Sequence, residues 1–379
     1  MGVADFLVVG GGIAGLSLAA RLVNHGRVTV LEGEDVLGYH SSGRSVSFSH
    51  FGIGNAAVRG LTAYSQDFFE APPGGYCETP LSQRMTTLYF ADADALDRLV
   101  ALGAAMGAYT DAIETVEAAE LARLCPPLRT GDGAAIRGLV DRTGLKLDTD
   151  AFLQASARAV RNGGGAILTG QRISRVERSG DKWLVRTESG DEHEGAILVN
   201  AAGAWADRIA ALAGIAPLGL QPMRRTIIAI DPPAGEDITS LPFTHSVHAD
   251  FYMLPEAGRL LVSPADEVAD QPCDAQPDDY DIALAADRLE HYTNISVSRI
   301  AHRWAGLRTF AADRVPTAGF APDAPGFFWL AGQGGYGFQT APAMADAADS
   351  LIAGTAWPER LAQLGVTAET IGPERLAND

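Results

Sequence analysis

Asp5-Phe6-Leu7-Val8-Val9 is a β-rich run that ends on Gly10-Gly11-Gly12-Ile13-Ala14-Gly15, and an apolar helical pattern through Leu16, Ala19, Ala20 and Val23 follows at once. A second β-rich run, Val28-Thr29-Val30-Leu31, ends on Glu32. Strand, glycine turn, helix and parallel strand within about thirty residues predict a βαβ unit. The spacing Gly10-x-Gly12-x-x-Gly15 suits a dinucleotide. The first glycine permits the tight turn, the second lets backbone approach a pyrophosphate, and the third lets the helix pack closely, with the N–H groups around Ile13 and Ala14 facing the anion. Glu32, twenty residues beyond Gly12, can hold the adenosine ribose hydroxyls, and its charge argues against a 2′-phosphate. This unit alone leaves FAD and NAD both open.

Composition narrows the class of protein. Charged residues make up 20% and apolar ones 47%, which predicts a soluble globular fold rather than disorder. The 29 basic against 47 acidic residues give a formal charge of -18, which repels phosphate backbones and anionic lipid, so no nucleic-acid partner is expected. Cys77, Cys125 and Cys273 lie far apart with no CxxC pair, so neither a metal site nor a disulfide framework is read, and a cytoplasmic location is expected. The first apolar stretch, Phe6 to Ala20, is broken by glycines and preceded by no basic residue, so neither a leader nor an integral membrane segment is expected.

Further along, helical patterns are read at Ala56 to Phe69, Asp92 to Gly103 and from Asp148-Thr149-Asp150 to about Arg161. Two alternating runs, Arg172 to Arg178 and Lys182 to Thr187, flank the turn Ser179-Gly180-Asp181 and predict a hairpin. Short β-rich runs between Leu218 and Pro264 predict an antiparallel sheet on the substrate side. The last strand is read at Phe327 to Ala331, before a second glycine cluster and a final helix.

Two later segments separate the cofactors through resemblance. Ser41-Ser42-Gly43-Arg44-Ser45 and Gly332-Gln333-Gly334-Gly335-Tyr336-Gly337-Phe338-Gln339 resemble loops that the D-amino acid oxidase-like FAD oxidoreductases lay along pyrophosphate and flavin. Val199-Asn200-Ala201-Ala202-Gly203-Ala204-Trp205 is a third similar segment. Within that family the chain is similar to bacterial D-arginine dehydrogenases over almost its whole length, through Gly38-Tyr39-His40-Ser41, Phe69 to Pro80, Leu147 to Asp150, Gly219 to Pro222, Trp304 to Arg308 and Gln333 to Gly337. The resemblance implies an α/β plus α+β fold, with a Rossmann-like FAD-binding domain interleaved with an antiparallel-sheet substrate domain. The implied FAD-binding parts are 1–50, 145–215 and 320–379, and the substrate-binding parts 51–144 and 216–319.

It also implies roles. Arg308 would grip a substrate carboxylate through its planar guanidinium, with Tyr252 and Arg224 at the same end of the pocket. The Gly335 carbonyl would meet the substrate amine, and Gln339 would stand beside the flavin. Where the D-arginine enzymes place a carboxylate for the distant guanidinium, this chain aligns Thr86; Phe48, His50, Phe51 and Ile53 replace part of a polar lid. A desolvated guanidinium without a partner is costly, so a neutral, apolar or aromatic side chain is expected.

The expected reaction is oxidative deamination of a D-amino acid to the imino acid and then the 2-oxo acid, with hydride passing to flavin N5 and the electrons to an unidentified acceptor. No cysteine adjoins Arg308, so non-covalent FAD is expected. Ser246 through Pro264 holds no lysine, which favours dehydrogenase over oxidase. A sarcosine- or glycine-type oxidase, a 2-hydroxy acid dehydrogenase and a non-enzymatic electron-relay subunit remain open alternatives.

Overall fold

The computed structural model describes residues 4–232 and 237–376. Five parallel strands form the heart of a first sheet, in the order Phe327–Ala331, Glu192–Asn200, Ala4–Val9, Val28–Leu31, Ala166–Leu168. Phe327–Ala331 is buried at every position, as a parallel strand covered on both faces must be. Helices Ile13–Leu22, Thr149–Asn162 and Gly337–Ala353 cover one face around Leu16, Leu22, Phe152, Phe328 and Met344. Trp183, Phe327, Trp329 and the short helix Ala206–Leu212 fill the other. The expected hairpin forms as Ile173–Ser179 and Lys182–Thr187, and its second strand pairs with the N-terminal half of Glu192–Asn200.

The glycine turn is sterically closed to other residues. Gly10 has φ 114°, and a Cβ there would lie 2.3 Å from the Ala201 carbonyl oxygen. A Cβ on Gly15 would lie 2.0 Å from the Gly10 carbonyl oxygen, so the helix can pack this tightly only without one.

A second sheet of nine strands runs Val268–Ala269, Gln221–Ile230, Arg259–Ser263, Tyr252–Glu256, Phe243–Ser246, Thr87–Ala91, Arg137–Asp141, Ile113–Glu117, with Ile300–Phe310 on the other side of Gln221–Ile230. It is mainly antiparallel; Phe243–Ser246 and Thr87–Ala91 run parallel. Helix Asp279–Tyr292 closes one face over Leu88, Ile228, Met253 and Val262. The opposite face looks toward the first sheet and borders a cavity. Phe48–Ser49, Leu145–Leu147 and Ser82–Arg84 make a small third sheet that brings Phe48 and His50 to that cavity. Thr317–Phe320 pairs inside the first sheet, so the chain returns there before the boundary expected at residue 320. The mixture of sheets and helices is the α/β plus α+β class expected.

Candidate active site

Two cavities meet along the C-terminal ends of the parallel strands, where an open α/β sheet offers a ligand its crevice. The larger, about 590 Å³, is lined by Gly10, Gly12, Glu32, Ser41, Ser42, Ala202, Gly203 and Trp205 among others. Gly12 begins the helix in extended backbone with no side-chain cap, and its absent side chain leaves the cleft open there. Glu32 is held at the end of its strand, with Oε2 accepting from Gly11 N–H at 2.6 Å and Oε1 from Glu34 N–H at 2.8 Å. Trp205 lies 4.5 Å from the His40 ring, and His40 in turn meets Glu34 at 3.0 Å. A glycine turn, an uncapped helix start, a strand-end carboxylate and an aromatic wall together fit an adenine dinucleotide.

The smaller cavity, about 200 Å³, shares Gly12, Ser41, Ser42 and Gly203 with the larger and continues past Ile13, Ala14, Arg44, Ser45, Gly334, Gly335, Tyr336, Gly337, Phe338 and Gln339. The loop around Arg44 stitches the two sheets together. Its guanidinium donates to the Ala275 and Ala305 carbonyls at 2.8 and 3.0 Å and pairs with Asp274, while Ser41 Oγ donates to the Leu307 carbonyl at 2.6 Å. Arg44 is therefore occupied with holding the strand that carries Arg308. Gly15 and Gly43 line neither cavity; a Cβ on Gly43 would lie 2.7 Å from the Gly38 carbonyl oxygen, so both glycines serve backbone packing.

At the inner end stand Arg308, Arg225, Tyr252, Phe48, His50, Ile53, Phe243 and His245. Arg308 lies against Gly335, where a Cβ would come within 2.7 Å of Nη1. Among the described residues no carboxylate forms an ion pair with it, and none borders the cavity. Desolvation and the neighbouring Arg225 lower its pKa to about 10, so it remains a cation at neutral pH. Arg225, in contrast, donates to the Asp266 carbonyl at 2.6 Å, reaches Glu267 at 3.3 Å and lies 5.9 Å from the centre of the Tyr252 ring. The Tyr252 hydroxyl is buried without a hydrogen-bond partner. Gln339 donates to Thr62 Oγ1 at 2.8 Å and to the His50 carbonyl at 3.4 Å.

Three expected residues lie elsewhere. Arg224 turns from the cavity and pairs with Asp281 at 3.1 Å and Asp270 at 3.6 Å. Side chains alternate along Gln221–Ile230, so Arg225 and Ile227 face the cavity while Ile228 enters the core under helix Asp279–Tyr292. Thr86 is half-buried outside the cavity lining, and its carbonyl accepts from Phe243 N–H at 2.9 Å. The alternation that places Leu88 and Phe90 in the far core carries Thr86 the same way; Met85 packs beside Phe48 and Tyr252 instead. Phe51 is buried with Tyr89 and Leu99 and stacks on Tyr109 at 6.0 Å, behind the lid. Sequence reasoning missed Arg225, Phe243 and His245. Alternation could have raised Arg225 above its neighbour, but nothing local marks Phe243 or His245.

This geometry fits a protein that binds a flavin or nicotinamide adenine dinucleotide, and comparison with known proteins separates the two. The family described as FAD dependent oxidoreductase (DAO) matches residues 5–351, and the chain belongs to that family. Its cofactor is FAD. The chain is 24% identical over 233 residues to L-2-hydroxyglutarate dehydrogenase of Escherichia coli (strain K12), covering 56% of this chain and 50% of that one. To glycerol-3-phosphate dehydrogenase 1 of Mycobacterium tuberculosis (strain ATCC 25618 / H37Rv) it is 25% identical over 333 residues, 81% of this chain and 63% of that one. The chain thus spans about half the length of the first of these curated relatives. Among solved structures, L-proline dehydrogenase from P. horikoshii has a TM-score of 0.84 at 20% identity, covering 99% of this chain and 98% of that one. Dithionite-reduced L-alpha-glycerophosphate oxidase from Mycoplasma pneumoniae, with FAD bound, has a TM-score of 0.82 at 20% identity, covering 93% and 95%. Identities this low speak for fold. Among the described residues no helix is long and apolar enough to cross a membrane.

Proposed function

We propose that this chain oxidises a D-amino acid with a single carboxylate and a neutral side chain to the imino acid, which water then converts to the 2-oxo acid and ammonia. The observation that carries the reading is the Arg308 guanidinium, enclosed at the cavity end with no ion-pair partner among the described residues. An unpaired cation in such a place is costly until an anion arrives. Arg225 already has Glu267, so the site offers one spare positive charge, enough for one carboxylate.

Gly12, Ser41, Ser42, Gly203 and the Gly334 to Gln339 turn would hold FAD, with Glu32 at its ribose. When bound, FAD supplies the two-electron oxidation. Arg308 binds and orients the carboxylate, and Tyr252 offers it a hydroxyl. The Gly335 carbonyl accepts from the α-amine, which reacts in its neutral form so that its lone pair can form the C=N bond as the Cα–H bond breaks. Phe48, Phe243 and Ile53 exclude water. These residues need neither a nucleophile nor a metal to do this. The bidentate carboxylate clamp argues against a pure electron-relay role. The D configuration rests on the resemblance to D-arginine dehydrogenases, and the neutral side chain on the absence of any Asp or Glu from the described cavity lining.

Anaerobic mixing of the yellow protein with D- and L-amino acids, sarcosine, glycine and 2-hydroxy acids tests this. Bleaching of the flavin band by neutral D-amino acids ahead of D-arginine is expected, with ammonia and the 2-oxo acid as products; bleaching by L-isomers or hydroxy acids alone would sink the proposal. A 2-hydroxy acid is the second reading, favoured by His50, a neutral imidazole at the cavity that can hydrogen-bond a substrate hydroxyl. No lysine lines the described cavity, so little hydrogen peroxide is expected in air. FAD should also leave completely on denaturation, because no cysteine lines the described cavity beside Arg308; flavin remaining on the denatured chain would show a covalent link.

A further inference from the structure

The sheet that brings Arg225 and Arg308 to the cavity also carries, on neighbouring strands, a polar group that the reaction above does not use. Tyr89, His245 and Tyr252 form one cross-strand row, since His245 is in register with Tyr89 on one side and with Tyr252 on the other. His50 reaches in from the small sheet. Its ring lies 5.2 Å from that of His245, and its Nδ1 is 2.5 Å from the Tyr89 hydroxyl. Both histidines line the cavity among Phe48, Phe243 and Ile53. His50 therefore has a partner within the protein, whereas His245 Nε2 is buried with none.

A buried imidazole nitrogen without a partner carries an uncompensated desolvation cost, and Phe or Leu would pack in an aromatic box without that cost. Desolvation first, and then the neighbouring charged and ionisable groups including Arg225 and Arg308, oppose a positive charge on these rings, so both imidazoles act as neutral hydrogen-bonding groups. No charge is left over for a second anion once the spare cation has met the α-carboxylate, and no lining acid awaits a cation. We infer that His245, backed by His50 and Tyr89, is a specificity-determining residue that selects a short neutral side chain bearing a hydrogen-bonding heteroatom, such as an amide or hydroxyl, over its apolar isostere. The inference rests on the proposed amino acid oxidation and narrows its substrate.

D-Leucine, D-asparagine and D-aspartate have nearly the same shape and differ in being apolar, polar and charged, so the holoenzyme can be read with all three by anaerobic flavin reduction. Asparagine should exceed leucine by roughly tenfold or more in kcat/KM, the scale of one buried hydrogen bond, and aspartate should be the poorest. His245→Leu should erase the preference for asparagine over leucine, and His245→Asn should keep part of it, both with a normal flavin spectrum. If His245→Leu holds no flavin, the wild-type ranking and His245→Asn still decide. Leucine matching asparagine in the wild type, aspartate leading, or an unchanged ratio in a folded His245→Leu protein would each overturn the inference while leaving amino acid oxidation intact. Flavin reduced by none of the three, nor by any other amino acid, would overturn the parent reading as well.

Discussion

Around the larger cavity the strand-end acids are already answered, whereas around the smaller one the central cation waits. Glu32 accepts two backbone N–H groups, and Glu34 holds both His40 and Arg172. At the inner cavity Arg308 has no ion pair among the described residues, and Tyr252 Oη and His245 Nε2 have no hydrogen-bond partner. The nucleotide side is a scaffold shaped by close backbone approach, with its acids already held, although His40 Nδ1 there is buried without a partner. The substrate side is left electrostatically unfinished, and a ligand would complete it. Arg224 and Arg225 differ in the face they take within one strand: the first pairs with Asp281 and Asp270 away from the cavity, the second lines the cavity while held by Glu267.

The largest effect should come from the unfinished side. Arg308→Lys should lower kcat/KM roughly tenfold to a hundredfold with flavin content unchanged, because charge-assisted bonds of ~1.5–3 kcal/mol each are lost and an ammonium cannot make two in parallel. Stopped-flow reduction kinetics measure it; unaltered kinetics would remove Arg308 as the clamp. On the scaffold side, Gly15→Ala should reduce FAD content and lower thermal stability by about 1–3 kcal/mol, since its Cβ would lie 2.0 Å from the Gly10 carbonyl oxygen. Full flavin occupancy and an unchanged melting temperature would refute the steric account of the turn.

The two neighbouring arginines allow a sharper test. Arg225→Lys should raise KM several-fold, about 1 kcal/mol in binding, while Arg224→Lys leaves KM and kcat within twofold and lowers only stability, on the scale of a partly buried pair. Equal kinetic effects at both positions would contradict the assigned strand faces.

The acid response of the inner wall tests the same comparison through stability and not through kinetics. Desolvation, then Arg308 and Arg59, push His50 down to about 3, and desolvation with His50, Arg225 and Arg308 push His245 well below its ordinary value. Unfolded imidazoles protonate near about 6.5. Between that pH and the folded values the unfolded chain binds more protons, so stability is fully present above the window and falls as pH falls through it. The slope approaches about 1.4 kcal/mol per pH unit for each histidine. Melting temperatures from about pH 7 to 4 should therefore decline less steeply in His245→Leu than in the wild type. Identical slopes would mean that His245 is not held neutral.

Much of the scaffold was legible because its determinants are local. Gly10, Gly12, Gly15 and Glu32 belong to one βαβ unit, where a missing Cβ and a strand-end acid have direct geometric meaning. The substrate wall is assembled from strands far apart in the chain. Arg308, Tyr252, Gln339 and the lid residue His50 were reached through family likeness, and the cavity brings them together. That likeness could not distinguish Arg224 from Arg225, because a one-residue step in a strand exchanges the two faces. Thr86 and Phe51 failed for the same kind of reason, each pointing away from the cavity, Phe51 beside the lining residue His50.

The amino acid sequence by itself determined the glycine turn, the parallel strand pair with its terminal acid, and the demand for an adenine dinucleotide, because those follow from backbone sterics over about thirty residues. The tertiary structure decided which arginine faces the cavity, that Arg44 ties the sheets together, and that His245 stands between Tyr89 and Tyr252. Those facts depend on strand register and on which face meets the other sheet, and neither is encoded in any short stretch of the chain.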